Sequence, residues 1–380
     1  MSNIRERLYY FWKKLAEQQS RKAFQNSYFK EDIDRYKAWK DRKPERQVRR
    51  EMKVLQSYWN CYPFQYYRFN FYRADCTLSL EEMKQYVPHY FLFNLFYPLS
   101  SKEYGILCED KLLNYAMLKA YDIPQPGILF FFDNNKFYDS TNTPISDETV
   151  NEKLRTADAS RLFVKPRFGI GGKGIYVFTK TGNGYAGENN TVLDAAFLER
   201  ELKDTAYIIQ EGLVQDETIN TIYPHSVNTF RVVTECIDGK VRILYAILRM
   251  GSGGQQVDNA SSGGLYTKVD STTGTLADFT YTTNQSVFHS HPDTGFVFKN
   301  ARIEKWQQVK GLALEVALKF REIKYLGWDI AITPQGPVVI ELNHRPGVGI
   351  IQDWYGGIRD DLKINPKDWW YKSKYTLKNI

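Results

Sequence analysis

The chain has 380 residues, with 51 Lys and Arg against 44 Asp and Glu and a formal net charge of +7. A hydrophobic fraction of 43% and a charged fraction of 25% are ordinary for a globular protein, and they exclude a largely disordered, collagen-like or coiled-coil chain. This length predicts two or three packed domains.

The excess positive charge lies in the first 53 residues, which carry 16 Lys and Arg against 8 Asp and Glu. Leu8, Phe11 and Leu15 recur there at helical spacing, which predicts a basic amphipathic helix. Pro44 separates it from a second helix that ends near Trp59. Such helices are typical of a solvated appendage, and contact with anionic lipid or a partner protein is the alternative. Nucleic-acid binding is not expected, because no known binding module accompanies the charge.

The rest of the chain alternates helical and strand patterns. Helices are predicted over residues 78–90, 109–121, 193–202 and 306–323. Strands are predicted over residues 128–132, 162–166, 175–178, 206–210, 229–235, 241–250, 328–332 and 338–342. The pair Asp238-Gly239 predicts a tight hairpin turn between two of these strands. This pattern favours an α+β fold with mostly antiparallel pairing.

The cysteines and the termini indicate a cytoplasmic protein. The four cysteines have no CxxC spacing, so reduced thiols are expected rather than a disulfide framework or a zinc knuckle. The N-terminal stretch lacks the apolar core of a signal peptide, and no apolar run reaches the roughly 18 residues of a membrane span. His289 and His291 are assigned to a loop, because no third metal ligand has a useful spacing.

One motif suited to phosphate binding is a strand that ends near Lys165, followed by a loop with Gly169, Gly171, Gly172 and Gly174. Glycine lets backbone N–H groups approach an anion, and lysine supplies a positive charge for phosphate. The loop is not a Walker motif, because its spacing differs and no Ser or Thr follows its lysine. Taken alone, it is equally consistent with a structural hairpin turn.

A second motif is a predicted hairpin with Asp329 on one strand and Glu341 and Asn343 on the other. Residues two apart project to the same face of a strand, so Glu341 and Asn343 share a face. Asp329, on the other strand of the hairpin, can lie opposite them. Two carboxylates and an amide oxygen are ligands that Mg²⁺ takes together with phosphate oxygens. An amphipathic hairpin with acids placed by chance is the alternative.

Together these motifs resemble the ATP-grasp superfamily over roughly residues 105–350. In chain order, the residues that carry the resemblance are Glu109-Asp110-Lys111 opening a helix, Lys165 with its glycine loop, the hinge Gln210-Glu211-Gly212-Leu213, and Asp329, Glu341 and Asn343. Residues 228–234 and 257–264 are similar to the sugar-transfer-associated branch, which is related to α-L-glutamate-ligase-like proteins.

The resemblance implies an ATP-grasp fold of two α+β lobes whose antiparallel sheets clamp ATP. The implied ATP contacts are Lys111, Lys165, Gly169, Gly171, Gly172, Gly174, Gln210, Glu211, Leu213 and Glu217. His225 and Asn228 are alternatives to Glu217 at the ribose. The implied ligands of one or two Mg²⁺ ions, or of Mn²⁺, are Asp329, Glu341 and Asn343. Many ligases of the superfamily carry an arginine at the position of Gly327, and Arg231, Arg249 and Arg345 are the candidates to replace it as catalytic groups.

Four regions are expected from the resemblance and the charge pattern. They are a basic, aromatic-rich helical extension (1–75), a pre-ATP-grasp region (76–140), a central lobe with the glycine-rich loop (141–210) and a C-terminal lobe with the metal site (211–380).

The activity implied by the resemblance is ATP- and Mg²⁺-dependent ligation of a carboxylate to an amine through an acyl phosphate. Both substrates are expected to be small molecules, and the branch suggests a sugar acid or amino acid used in bacterial capsule or O-antigen synthesis. A small-molecule kinase and a non-catalytic scaffold are the alternatives. The basic helices are predicted to recruit polysaccharide-assembly proteins or to hold the chain at the anionic inner face of the membrane.

Overall fold

The structure is a computed structural model that describes residues 2–25, 29–100, 104–169, 174–258 and 263–369. The chain divides into two compact units. The first comprises Met1–Lys102 and Arg345–Ile380, and the second comprises Glu103–His344.

Short and long helices occur throughout the described chain. In chain order they are α1 (Ser2–Gln25), α2 (Lys30–Ala38), α3 (Glu45–Trp59), α4 (Gln65–Arg68), α5 (Leu80–Met83), α6 (His89–Phe91), α7 (Tyr97–Ser100), α8 (Gly105–Glu109), α9 (Lys111–Ala120), α10 (Asp147–Thr156), α11 (Ala195–Glu201), α12 (Glu217–Asn220), α13 (Trp306–Lys319) and α14 (Gly349–Tyr355). None of the helices in these described ranges is long and apolar enough to cross a bilayer.

All strands found among the described residues belong to the second unit. They are β1 (Ile128–Asp133), β2 (Lys136–Tyr138), β3 (Pro144–Ile145), β4 (Arg161–Pro166), β5 (Tyr176–Thr181), β6 (Gly184–Ala186), β7 (Ala206–Glu211), β8 (Thr229–Ile237), β9 (Lys240–Met250), β10 (Leu265–Lys268), β11 (Thr280–Tyr281), β12 (Val287–Phe288), β13 (Tyr325–Thr333) and β14 (Gly336–Asn343).

The first unit is helical and confirms the expected N-terminal extension. Its core packs Val48 and Leu55 of α3 against aromatic side chains of α4 and of the segment that follows, with Tyr66, Phe71 and Tyr72 fully buried. Among these aromatics lies a buried ion pair, in which Lys43 Nζ is 3.2 Å from Glu51 Oε2. The hydroxyl of Tyr66 and the amide of Gln47 also donate to that carboxylate, so the buried charge of Glu51 is stabilised by three partners.

The single helix predicted over residues 78–90 is wrong. Ser79 caps α5 through a capping box with Glu82, but the helix ends at Met83. A new helical stretch begins only at His89, after Pro88. Proline disfavours the helical conformation of the residue before it, and this interrupts the predicted helix.

The second unit contains two seven-stranded sheets in which every neighbouring pair is antiparallel. The first sheet has the order β3-β2-β1-β7-β4-β5-β6, and the second has the order β12-β11-β10-β9-β8-β13-β14. The predicted α+β class with antiparallel sheets is therefore confirmed. At the β8–β9 turn, Asp238 and Gly239 have φ values of 51° and 71°, as the hairpin signal predicts.

Helices cover one face of each sheet. Helices α10 and α11 pack Val150, Leu154 and Leu198 against the first sheet. The long helix α13 packs Trp306 and Val309 against the second sheet, whose strand β13 is buried along its whole length. Residues of β8 and β13 that alternate with this core, among them Arg231 and Asp329, project to the opposite face of the second sheet and are buried as well.

Candidate functional site

The centre of the candidate site is a row of three charged residues across the second sheet. Arg231 on β8, Asp329 on β13 and Glu341 on β14 are directly opposite one another in the antiparallel register. Opposite residues in a ladder project to the same face and lie closest together. The sequence-based expectation that Asp329 lies across from Glu341 therefore matches the observed register.

A β-bulge sets this register. From the turn inwards, Thr333 pairs with Gly336 and Ile330 pairs with Val339, but the next pair is Asp329 with Glu341. The extra residue is Ile340. Without the bulge, Asp329 would pair with Ile340. The carboxylates of Asp329 and Glu341 would then project to opposite faces of the sheet, because a register shift of one residue moves every side chain of a strand to the other face.

Two arginines hold Asp329. Arg231 donates from Nε and Nη2 to the two carboxylate oxygens, at 2.5 and 2.9 Å. Arg249 Nη2 lies 3.0 Å from Oδ2 of the same carboxylate and also donates to Thr229 Oγ1 at 2.7 Å. The hydroxyl of Thr229 donates in turn to Asp258. The result is a closed network of two guanidinium groups and two carboxylates on one face of the sheet.

The protonation of the acids reflects their different surroundings. Burial alone would raise the pKa of Asp329, but Arg231 and Arg249 hold that pKa below its ordinary value. Burial raises the pKa of Asp258, and burial together with the charge of Asp329 raises the pKa of Glu341. The positive charges of Lys111, Arg231 and Lys165 thus do not offset the burial of Glu341, whereas two arginines keep Asp329 ionised.

Lys165 brings a positive charge from the first sheet to this row. It lies on β4, and its Nζ donates to Gln210 Oε1 at 2.8 Å on the neighbouring strand β7. Burial lowers its pKa to about 8, while Glu341 and Asp258 raise it and Lys111 lowers it further. The ammonium group of Lys165, on the first sheet, therefore interacts electrostatically with Glu341 on the second sheet. It is also repelled by a second lysine, Lys111.

The second lysine is held at the N-terminus of α9. Lys111 Nζ donates to Gly169 O at 2.9 Å, at the start of the glycine loop. The preceding residue, Asp110, caps the helix by accepting from Leu112 N, and it also forms a bidentate ion pair with Arg167, whose Nη2 lies 2.7 Å away. This contact was not predicted from the sequence, although an aspartate before a helix is a readable capping signal.

We expect Asp110→Ala to weaken ATP binding through Lys111. The change removes a helix cap and leaves Arg167 with a single carboxylate partner, at a cost of about 3 kcal/mol in the free energy of unfolding. ATP affinity, measured by calorimetry at a temperature where the variant is folded, is expected to fall roughly tenfold. Asp194→Ala is the matched control, because Asp194 caps α11 and forms no ion pair with an arginine of the described ranges. Equal ATP affinities in the two variants would contradict this role of Asp110.

The glycine loop is described at its two ends only. Gly169 has a φ of 150° and Gly174 a φ of 72°, both in the range that favours glycine. A Cβ at Gly174 would lie 3.2 Å from both the Pro166 ring and the hydroxyl of Tyr207. Gly171 and Gly172 lie outside the described residues, and their contact with phosphate stays a prediction.

The predicted adenine hinge follows β7. Gln210 is buried, and its amide oxygen already accepts from Lys165, which leaves one lone pair for a nucleobase. The N–H of Glu211 donates to Gly127 O, and a Cβ at Gly127 would come within 2.4 Å of the Glu211 carboxylate. The hinge is therefore closely packed. The predicted contacts of Gln210, Glu211 and Leu213 with adenine stay predictions.

The three candidates for the ribose contact differ in exposure. Glu217 and His225 are exposed. Asn228 is completely buried, and its amide donates to the carbonyl groups of Ile219 and Tyr223. The described contacts of Asn228 are thus structural, and Glu217 and its alternative His225 stay predictions for the ribose contact.

The loop after β9 is tied down at its base. Gly251 N donates to Ser226 Oγ at 3.2 Å, and Gly251 O lies 2.9 Å from Nε2 of the buried His291. The other ring nitrogen of His291 accepts from Asp293 N, so the imidazole is neutral with its proton on Nε2. His291 therefore has a structural role next to the loop that leads to Asp258, in agreement with the loop assignment.

Glu341 and Asn343 suit a divalent cation better than Asp329 does. Within the described residues Glu341 has no hydrogen-bond or ion-pair partner, and Nδ2 of Asn343 is buried without one. Amide oxygen and nitrogen are assigned, so either can face a ligand. In the described part of the chain, no three Asp, Glu, His or Cys side chains form a metal site by themselves. The pair of Glu341 and Asn343 suits Mg²⁺, which binds through one or two carboxylates plus phosphate oxygens.

The structure thus brings most of the predicted charged residues to one place. They are Lys111, Lys165, Arg231, Arg249, Asp329 and Glu341. Arg345 belongs to the first unit, and its catalytic role stays a prediction. Thr229 was missed, because one threonine at the start of a strand carries no signal until the strands are paired.

Comparison with known families gives one match. The model of the sugar-transfer associated ATP-grasp family matches residues 94–360, well over half of the chain. Among curated proteins, none matches the sequence significantly.

Several solved structures are distantly similar. D-alanyl-alanine synthetase A from Vibrio cholerae is 13% identical, with a TM-score of 0.41 over 70% of this chain and 66% of that one. VanG D-Ala:D-Ser ligase from Enterococcus faecalis is 16% identical, with a TM-score of 0.40 over 70% of this chain and 62% of that one. L-amino acid ligase from Bacillus licheniformis is 14% identical, with a TM-score of 0.37 over 69% of this chain and 45% of that one.

Proposed function

Because this chain belongs to the sugar-transfer associated ATP-grasp family, we propose that it is an ATP- and Mg²⁺-dependent ligase that joins a carboxylate to an amine. The observation that carries the proposal is the approach of Lys165, from one sheet, to the Glu341 row of the other. Charged side chains separated by almost half of the chain thus interact electrostatically. Removing charged groups from water costs free energy, and clusters of such groups are typical of functional sites. Binding of a triphosphate together with its cation is a function that would use charges of both signs.

The chain's own residues support phosphoryl transfer by neutralising charge. Lys111 and Lys165 are two ammonium groups suited to the phosphate oxygens, and Arg231 and Arg249 are oriented by Asp329 and Asp258. In the proposed reaction a carboxylate oxygen attacks the γ-phosphorus and ADP leaves. An amine then attacks the acyl carbon, inorganic phosphate leaves and an amide forms. Both steps build up negative charge on oxygen, which preorganised guanidinium and ammonium groups stabilise.

Glu341 and Asn343 are the residues that would hold Mg²⁺. The ion would screen the charge of the phosphates when bound. Burial and Asp329 raise the pKa of Glu341, so a bound cation would favour its ionised form. Asp329, with both oxygens bound to arginines, would mainly orient the two guanidinium groups. Its predicted role as a further metal ligand requires one of these oxygens to be shared.

The substrates proposed are a small sugar acid or amino acid and a small amine, for use in a bacterial surface polysaccharide such as capsule or O-antigen. Support for this finer proposal comes from the description of the family as sugar-transfer associated. The ligation reaction is proposed to take place in the cytoplasm.

The proposed activity is tested by measuring ADP release with a panel of uronic acids, amino acids and amines. A ligase releases ADP and phosphate only when an acid and an amine are both present. ADP release with an acid alone, together with a stable phosphorylated product, would indicate a kinase and contradict the proposal. Absence of turnover across the panel, combined with absence of ATP binding, would indicate a non-catalytic protein.

A further inference from the structure

The first three turns of α1 form an apolar face that the first unit leaves uncovered. Ile4, Leu8 and Phe11 are 67%, 38% and 59% exposed. Positions four and seven residues apart lie on one side of a helix, so these three side chains form a stripe. Among the described side chains of the first unit, the exposed large hydrophobic ones are these three and Tyr10.

The second half of α1 is packed on the first unit. Ala16 is 8% exposed and Ser20 is completely buried, with its hydroxyl accepting from Tyr62 N at 2.9 Å. Gln19 accepts from the hydroxyl of Tyr90 at 3.0 Å. One half of the helix is thus an anchor, and the other half presents its apolar stripe to solvent.

A basic row runs beside the stripe. Arg7, Lys14 and Arg21 are exposed and lie seven residues apart, which places them in one line along the helix. The first 53 residues hold a net charge of +8, so the remainder of the chain is close to neutral. A helix with an apolar stripe flanked by Lys and Arg is suited to the interface of an anionic bilayer. It is not suited to pairing with a second copy of itself, because the two basic rows would repel.

We propose that α1 docks this protein on an anionic lipid surface, with Ile4, Leu8 and Phe11 inserted between headgroups and Arg7, Lys14 and Arg21 at the phosphates. The helix lies in the interface and does not span it, since none of the described helices can cross a bilayer. This inference concerns the first unit alone and is independent of the proposed ligase activity.

The test is co-sedimentation of the full chain with phosphatidylcholine vesicles that contain about 30% phosphatidylglycerol or none. Binding is expected with the anionic vesicles and not with the neutral ones, and it should weaken as salt is added. The double variant Leu8→Ser/Phe11→Ser and the double variant Arg7→Glu/Lys14→Glu are each expected to lower the partition coefficient about tenfold or more.

The control is Val192→Ser/Val287→Ser, which removes two exposed apolar side chains of the second unit. It is expected to bind vesicles as the unchanged chain does. Thermal melting verifies that each variant is folded, as expected for exposed positions. Equal binding to neutral vesicles, absence of binding, or unchanged binding of the Leu8/Phe11 variant would overturn the proposal. Concentration-dependent self-association in the absence of lipid, abolished by Leu8→Ser/Phe11→Ser, would assign the stripe to a second copy instead.

Discussion

Lys165→Met is expected to lower the turnover of ATP by about 10²–10³-fold and to weaken ATP binding, because it removes a half-buried ammonium group that interacts electrostatically with Glu341. Methionine fills a similar volume without charge, so the fold should be retained. Burial lowers the pKa of Lys165 to about 8, which leaves it mostly protonated at neutral pH. ATP affinity of the unchanged chain should therefore fall as the pH rises above about 8, and this dependence should be absent in Lys165→Met.

The matched control for this change is Lys180→Met. Lys180 lies in the same sheet on β5, and its Nζ contacts Asp158 and the carbonyl of Ala157 at the surface. Calorimetry with ATP and an assay of ADP release are the measurements. Similar effects of the two substitutions, or full activity of Lys165→Met, would remove Lys165 from the nucleotide site.

Glu341→Gln is expected to abolish turnover, by about 10³-fold, with only a modest loss of nucleotide affinity. The substitution keeps the shape and removes the one carboxylate of the row that has no guanidinium or other partner among the described residues. Since burial and Asp329 raise the pKa of Glu341, its charge is disfavoured in the folded state at neutral pH. The neutral variant should therefore melt no lower than the unchanged chain.

Glu235→Gln is the control for Glu341→Gln. Glu235 is also a buried carboxylate of the second sheet, but it pairs with Arg242, whose Nε lies 2.7 Å away. Its replacement should lower the melting temperature, because the ion pair with Arg242 is lost, and should leave turnover unchanged. Retention of full turnover by Glu341→Gln, or an unchanged requirement for Mg²⁺, would contradict the role assigned to Glu341.

Much of the fold could be predicted because its signals are local. The Asp238-Gly239 turn, the proline before α3 and the apolar periodicity of α13 each act within a few residues of chain. The break near Pro88 was missed, because the apolar pattern of residues 78–90 continues across a residue that the backbone cannot accommodate in a helix.

The candidate site could be predicted in its residue types but not in its contacts. The hairpin pattern predicted that Asp329 and Glu341 lie opposite each other. Their pairing depends on the bulge at Ile340, however, and no residue in the turn indicates that bulge. The Arg249–Thr229–Asp258 network joins three segments that meet only when the sheet has formed. Contacts between such distant segments need tertiary structure.

Lys111, Lys165 and the Glu341 row are expected to bind a single nucleotide. The most direct measurement is a crystal structure of the full chain with Mg²⁺ and a non-hydrolysable ATP analogue. We expect the triphosphate between the two sheets, with Lys111 Nζ and Lys165 Nζ bonded to phosphate oxygens and a cation on Glu341. A nucleotide bound elsewhere, or one bound with Lys165 and Glu341 in separate cavities, would contradict the account.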